Sequence, residues 1–184
     1  YPADFMSAQL GLLGSHDTIR ILSRLSGAPG RDDLTREKQA KWRPEAAALA
    51  EGGKRLMQAA LLQFAMPFAP CIYYGDEAGM QGMADPFCRA PFPWGEEDEE
   101  LLRFWRLLAS ARKNSPALMR GTTSFAAPDG DTFVICREYN GKKTLAAVAR
   151  APREITLKKE DFFGENDGAE LKLTIEDKLL TDAE

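Results

Sequence analysis

The sequence has one histidine, His16, and three cysteines, Cys71, Cys88 and Cys136, which are far apart and outside any CxxC or Cys/His spacing. A zinc site or a Ser/His/Asp triad has almost no material to be built from in such a chain. The odd number of thiols reads as reduced cysteines of a cytoplasmic protein rather than a disulfide framework. No run approaches the roughly 20 apolar residues that span a bilayer, and Tyr1-Pro2-Ala3-Asp4-Phe5 lacks the basic start of a signal peptide. Acidic and basic residues nearly balance at a formal charge of −4. Neither nucleic acid nor an anionic membrane is therefore signalled as a partner. What remains, with 44% hydrophobic residues, is material for a packed core.

Ala3 to Gln9 fits the last turns of a helix, and Leu10-Gly11-Leu12-Leu13 reads as a short buried strand stopped at Gly14-Ser15. Thr18 to Leu25 carries apolar residues at helical spacing, whereas Ser26 to Arg43, charged and rich in Gly, Pro and Asp, reads as a surface excursion. Pro44 opens a helix whose apolar positions run from Leu56 through Met57, Ala60, Leu61 and Phe64, with Gly52-Gly53 a candidate kink. Cys71-Ile72-Tyr73-Tyr74 is a second compact strand. Two short strands joined by a helix of this length predict a parallel β-α-β unit. A long loop, Gly75 to Gly95, follows. Leu101, Trp105, Leu108 and Arg112 then line one face of a helix with acidic residues at its start.

From about Ser115 the texture changes to strands. Thr132 to Tyr139 and Lys143 to Val148 flank Asn140-Gly141, the strongest short hairpin signal, and Thr122 to Ala126, Glu154 to Lys158 and Glu170 to Ile175 are further strand candidates. This half predicts an antiparallel β-sandwich.

Three segments are read together: Leu12-Leu13-Gly14-Ser15-His16-Asp17-Thr18, Pro70-Cys71-Ile72-Tyr73-Tyr74-Gly75-Asp76-Glu77, and Asp85-Pro86-Phe87-Cys88-Arg89-Ala90-Pro91-Phe92-Pro93-Trp94, of which the first two each place polar residues directly after a short strand. Singly, each is weak. A His-Asp pair is more often a satisfied turn, and Asp85 with Arg89 an ordinary loop ion pair. In order and at these separations, however, they resemble the seventh-strand, eighth-strand and eighth-loop motifs of the α-amylase superfamily, glycoside hydrolase family 13. The Asp85 to Trp94 stretch looks like its neopullulanase and cyclomaltodextrinase branch.

That resemblance implies the C-terminal part of a (β/α)8 barrel over residues 1–115, with strands seven and eight, and a β-sandwich domain over 116–184. It implies a retaining hydrolase of α-1,4 or α-1,6 glucosidic bonds acting on maltodextrins, cyclodextrins or pullulan. Asp17 matches the carboxylate that stabilises the transition state. His16 matches the imidazole beside it on the same sugar, and Asp85 and Arg89 match substrate-gripping positions. The partner is an α-glucan oligosaccharide, and a homodimer is compatible with the family. This portion requires no metal, since no cluster here offers the six to eight oxygen ligands of a calcium site, while the resemblance leaves calcium compatible with the parent protein.

Departures matter as much. The segments carrying the family's nucleophilic aspartate and acid/base glutamate are not in this sequence, so the chain alone is expected to be inactive. Gly30-Arg31-Asp32-Asp33 superficially resembles the nucleophile motif but follows no strand, and Phe68 stands where the family usually shows glycine. Asp76 and Glu77 read as residues that hold loops. An α-glucosidase or transglycosylase of the same superfamily, or a non-catalytic carbohydrate-binding relative, are the alternative functions.

Overall fold

The structure, a computed structural model, describes residues 3–158, 160 and 170–183. Its elements in order are α1 (Ala3–Ser7), β1 (Leu10–Leu12), α2 (Ile21–Leu25), α3 (Arg36–Lys41), α4 (Ala46–Ala65), β2 (Ala69–Cys71), α5 (Glu99–Asn114) and α6 (Pro116–Arg120), with 3-10 turns at Arg31–Asp33 and Phe87–Arg89. Six strands follow: β3 (Thr122–Ala126), β4 (Thr132–Tyr139), β5 (Lys142–Ala149), β6 (Arg153–Lys158), β7 (Glu170–Ile175) and β8 (Lys178–Ala183). The chain divides into two compact units, one of residues 10–63 and 70–108, the other of 1–9, 64–69 and 109–184.

In the first unit, α4 presents Leu56, Met57, Ala60 and Leu61 to the core, a stripe recurring every three to four residues. Gly52-Gly53 does not break it. A β-carbon at Gly52 would collide with Ser26 Oγ and lie 3.0 Å from the Ser26 backbone nitrogen, so glycine here permits close approach to the end of α2. The excursion from Ser26 to Arg43 is more ordered than its composition suggests. Thr35 caps α3 through the Lys38 N–H, and buried Gln39 donates to the carbonyls of Arg31 and Leu34, each at 2.9 Å.

Strands β1 and β2 pair as a two-stranded sheet. The Ala69 N–H donates to Gln9 O at 3.0 Å, and Gln63 Nε2 on α4 donates to Gly11 O at 2.6 Å and Cys71 O at 3.0 Å. These contacts advance in step along both strands, the behaviour of a parallel pair with α4 as its crossover. Two expectations are corrected. The second strand ends at Cys71 rather than starting there, and Leu10 and Leu12 are 65% and 55% exposed instead of buried. A parallel pair needs cover on both faces, and among the described residues the face that carries Leu10 and Leu12 stays exposed.

In the second unit, β3, β4, β5 and β8 form an antiparallel sheet in that order, and β6 pairs antiparallel with β7. Val134, Cys136, Leu145, Ala147 and Ala149 from the larger sheet share a core with Ile155, Leu157 and Ile175 from the smaller. Two sheets around one apolar layer make the predicted sandwich. Asn140 and Gly141 have φ of 52° and 75°, the left-handed pair that a tight hairpin demands, and the register runs from Thr132↔Ala149 to Tyr139↔Lys142. Strand β8, unforeseen from sequence, closes the sheet against β5.

The end of α4 is satisfied by arginines. Arg112 on α5 donates to the carbonyls of Phe64, Met66 and Phe68 at 2.5, 2.9 and 2.8 Å. Arg137 on β4 donates to Ala65 O at 2.7 Å and Gly121 O at 2.9 Å. Two cations thus fill carbonyls that a helix C-terminus leaves without intrahelical partners. Burial, helped by the neighbouring Arg112 charge, lowers Arg137 to about 10. Burial also raises the Cys136 thiol to about 11, so that it packs as an inert small hydrophobe. All three cysteines are free.

Candidate functional site

Directly after β1 the chain makes a Ser/Thr turn. The Ser15 N–H donates to Thr18 Oγ1 at 3.2 Å, and the Asp17 N–H to Ser15 Oγ at 3.3 Å. The turn projects the side chains of His16 and Asp17, 63% and 69% exposed, with His16 Nε2 at 3.1 Å from Asp17 Oδ2. Nothing local buries them.

The 3-10 turn Phe87–Arg89 brings the other two predicted residues to the same place. Arg89 Nε donates to Asp85 Oδ1 at 2.9 Å and to His16 O at 3.2 Å, while Nη2 stands 3.6 Å from Asp17 Oδ1. The buried Cys88 thiol donates to the same His16 carbonyl at 3.2 Å. His16, Asp17, Asp85 and Arg89 therefore form one continuous cluster. Its ion pairs are solvent-exposed, and such pairs add only about 0–1 kcal/mol to stability. What the cluster offers is an open array of two carboxylates, a guanidinium and an imidazole. Adjacent sugar hydroxyls, each able to donate and accept, suit such an array.

Beneath it lies a pair that sequence reasoning half missed. Asp76, expected only to hold its loop, is buried, and Arg20 faces it with Nη1 at 3.2 Å from Oδ1; the side chains are 3% and 0% exposed. Arg20 Nη1 also donates to Tyr74 O, Nη2 reaches Met80 Sδ at 3.7 Å, and the guanidinium lies 4.3 and 4.6 Å from the ring centroids of Tyr73 and Tyr74. Burial pushes the Asp76 carboxyl up to about 6 against the opposing pull of Arg20. The one signal in the sequence was a charge set within the apolar run Ile19 to Leu22.

Asp33 is a cap, accepting from the Gly30 N–H at 2.7 Å, which accounts for Gly30-Arg31-Asp32-Asp33 without chemistry. Trp94 is 82% exposed with its ring 4.6 Å from that of Phe92, whereas Phe87 is half-buried with Arg36 5.9 Å from its ring centroid. Phe68 contributes its carbonyl to Arg112. Among the described residues, no group of three or more His, Cys, Asp or Glu side chains is placed to hold a metal ion, and no helix is long and apolar enough to cross a membrane.

No protein-family model matches the chain. Individual proteins do. An amylopullulanase of Thermoanaerobacter thermohydrosulfuricus is 39% identical over 146 residues, 79% of this chain and 9% of that protein. A cyclomaltodextrinase of Thermoanaerobacter pseudethanolicus is 29% identical over 163 residues, 88% of this chain and 24% of that protein. The cyclic α-maltosyl-(1→6)-maltose hydrolase of Arthrobacter globiformis, solved in complex with cyclic α-maltosyl-(1→6)-maltose, superposes with a TM-score of 0.72 at 28% identity, covering 99% of this chain and 36% of that one. The chain thus spans about a tenth to a quarter of the length of the curated relatives it matches. Motif order, the sandwich and these similarities agree: the chain belongs to the α-amylase superfamily of glycoside hydrolases, alongside the amylopullulanase, cyclomaltodextrinase and neopullulanase enzymes.

Proposed function

We propose that this chain supplies the transition-state-stabilising carboxylate and part of the sugar-binding rim of a retaining hydrolase that cleaves α-1,4 or α-1,6 glucosidic bonds in maltodextrins, cyclodextrins or pullulan. In this reading residues 1–115 are the C-terminal part of a (β/α)8 barrel, with β1 and β2 as strands seven and eight, and 116–184 are the sandwich domain. Barrel enzymes build their sites on the loops that follow the strands, where His16 and Asp17 stand. The cysteines, all free, fit a cytoplasmic setting.

The observation that carries the proposal is Arg89 bridging Asp17 and Asp85 in solvent, with His16 on the other oxygen of Asp17. In an oxocarbenium-like transition state, positive charge grows on the sugar ring. Asp17, negatively charged and hydrogen-bonded to sugar hydroxyls, stabilises that charge through groups already oriented before the reaction. His16 donates to the same sugar, and Asp85 with Arg89 grips its neighbour. The nucleophile and the acid/base lie in other parts of the parent enzyme. Retention needs those two carboxyl groups about 5–5.5 Å apart.

The test compares the parent enzyme with the isolated 184-residue chain on cyclodextrin, pullulan and p-nitrophenyl maltoside. The parent hydrolyses at least one of them with retained anomeric configuration, and the chain alone hydrolyses none. A parent that binds maltodextrin but hydrolyses nothing would instead make this a carbohydrate-binding relative.

A further inference from the structure

The exposed cluster is assembled from two separate arms, the Gly14 to Thr18 turn and the Asp85 to Trp94 loop. Each arm is tied to the buried pair beneath. On the first arm, the Asp76 carboxylate occupies the space that a side chain at residue 14 would need, since a β-carbon on Gly14 would overlap Oδ2 and lie 3.4 Å from Cγ. Gly14 precedes His16 by two residues. On the second arm, Arg20 donates to the Tyr74 carbonyl and lies against the Tyr74 ring, whose hydroxyl donates to Ala90 O at 2.8 Å, one residue beyond Arg89.

A third tie runs through the Arg20 backbone. Its N–H donates to Gly82 O at 3.0 Å, and the Gly82 N–H donates to Ser23 Oγ at 2.9 Å. A β-carbon at Gly82 would in turn collide with the Phe87 carbonyl, at the start of the turn that carries Arg89.

We infer that Arg20 and Asp76 are positioning residues: a buried ion pair that sets His16 and Asp17 on one arm, and Asp85 and Arg89 on the other, at fixed separation. The inference rests on reading the exposed cluster as a sugar-facing rim. Both side chains are buried, so neither presents a face to substrate. An arginine suits the task because its planar fork reaches several acceptors at once while its face lies on aromatic rings; lysine has one compact charge and no face to stack. A buried ion pair is weak evidence for stability, because removing two charges from water offsets most of their attraction. Its use here is geometric.

His16 is the chain's only histidine, so its ring resonance needs no assignment. The experiment records the His16 Cε1–Hε1 and Arg89 Nε–Hε NMR cross-peaks in the 184-residue chain, for wild type, Arg20→Lys and Asp76→Asn. The expected result is displacement of both peaks by more than a line width in both variants, with the Trp105 indole of the α5 core unmoved. Unmoved His16 and Arg89 peaks in folded variants would overturn the inference. Should both variants fail to fold, Gly14→Ala leaves both charges in place while its methyl displaces the Asp76 carboxylate. It is expected to move the Arg20 Nε–Hε peak, and an unmoved peak overturns the inference equally. Because no arm reads hydrolysis, failure of the catalytic reading and failure of the positioning reading are seen separately.

Discussion

Arg89 and Asp17, far apart in sequence, meet with Nη2 3.6 Å from Oδ1 while the same guanidinium holds Asp85 at 2.9 Å. One side chain thereby links the two loops that the catalytic reading requires. Asp17 stays 69% exposed, so its replacement tests chemistry more than folding. In the parent enzyme Asp17→Asn removes the charge and keeps the shape. Groups of this kind contribute about 3–4 kcal/mol to transition-state stabilisation. Maltodextrin turnover is expected to fall at least about a hundredfold with an unchanged melting temperature, measured by steady-state kinetics beside calorimetry. Near-normal kcat would remove Asp17 from the reaction.

Arg89→Ala should act on binding. The guanidinium is exposed and paired with side chains that remain solvated without it, so stability should change by no more than about 1 kcal/mol. For longer maltodextrins KM should rise or kcat/KM fall, with a smaller effect on an activated monoglucoside. Equal losses on both substrates would make the Arg89–Asp85 pair a purely structural contact.

Gln63 is the bolt between α4 and the paired strands, donating to Gly11 O and Cys71 O from a buried position. Gln63→Leu keeps the volume and deletes both donations. Buried carbonyls left without a partner cost about 1–3 kcal/mol. The midpoint of denaturant unfolding should drop accordingly, and an unchanged midpoint would mean that water replaces the amide.

Gly52→Ala opposes two effects. Alanine gains about 1 kcal/mol in intrinsic helix propensity, but its methyl collides with Ser26 Oγ and meets the Ser26 backbone. Overpacking costs about 1–3 kcal/mol, so the net change should be destabilising. A variant with a higher melting temperature would show that α2 retreats freely.

Asp76 gives stability a pH dependence. Its carboxyl stands at about 6 in the folded chain against the ordinary 3.8. The folded state therefore binds more protons between those values, and stability falls as pH rises from about 4 to about 6, then levels off. Two pH units correspond to about 3 kcal/mol as an order of magnitude. In Asp76→Asn this slope should vanish, so the melting-temperature difference between variant and wild type should change with pH across that window only. A constant difference would refute the titration.

Local chemistry was what the sequence determined. Asn140-Gly141 fixes a hairpin because few residue pairs accept left-handed backbone, so the register from Thr132 to Ala149 followed from two residues. Leu101, Trp105 and Leu108 fixed the buried face of α5 through spacing alone. The cluster of His16, Asp17, Asp85 and Arg89 was legible because motif order carried it, although spacing could not say that Arg89 would bridge the arms. Tertiary structure decided the rest. Gly52-Gly53 looked like a break and is a close packing site, which depends on where Ser26 stands. Gln63, Arg112 and Arg137 all donate to backbone carbonyls. Every residue carries a carbonyl, so such partners leave no mark in sequence. The Arg20–Asp76 pair was hidden for a related reason: a charge is buried only when the fold brings its counter-charge to it, and only the folded chain puts Tyr73, Tyr74 and Gly14 around that pair.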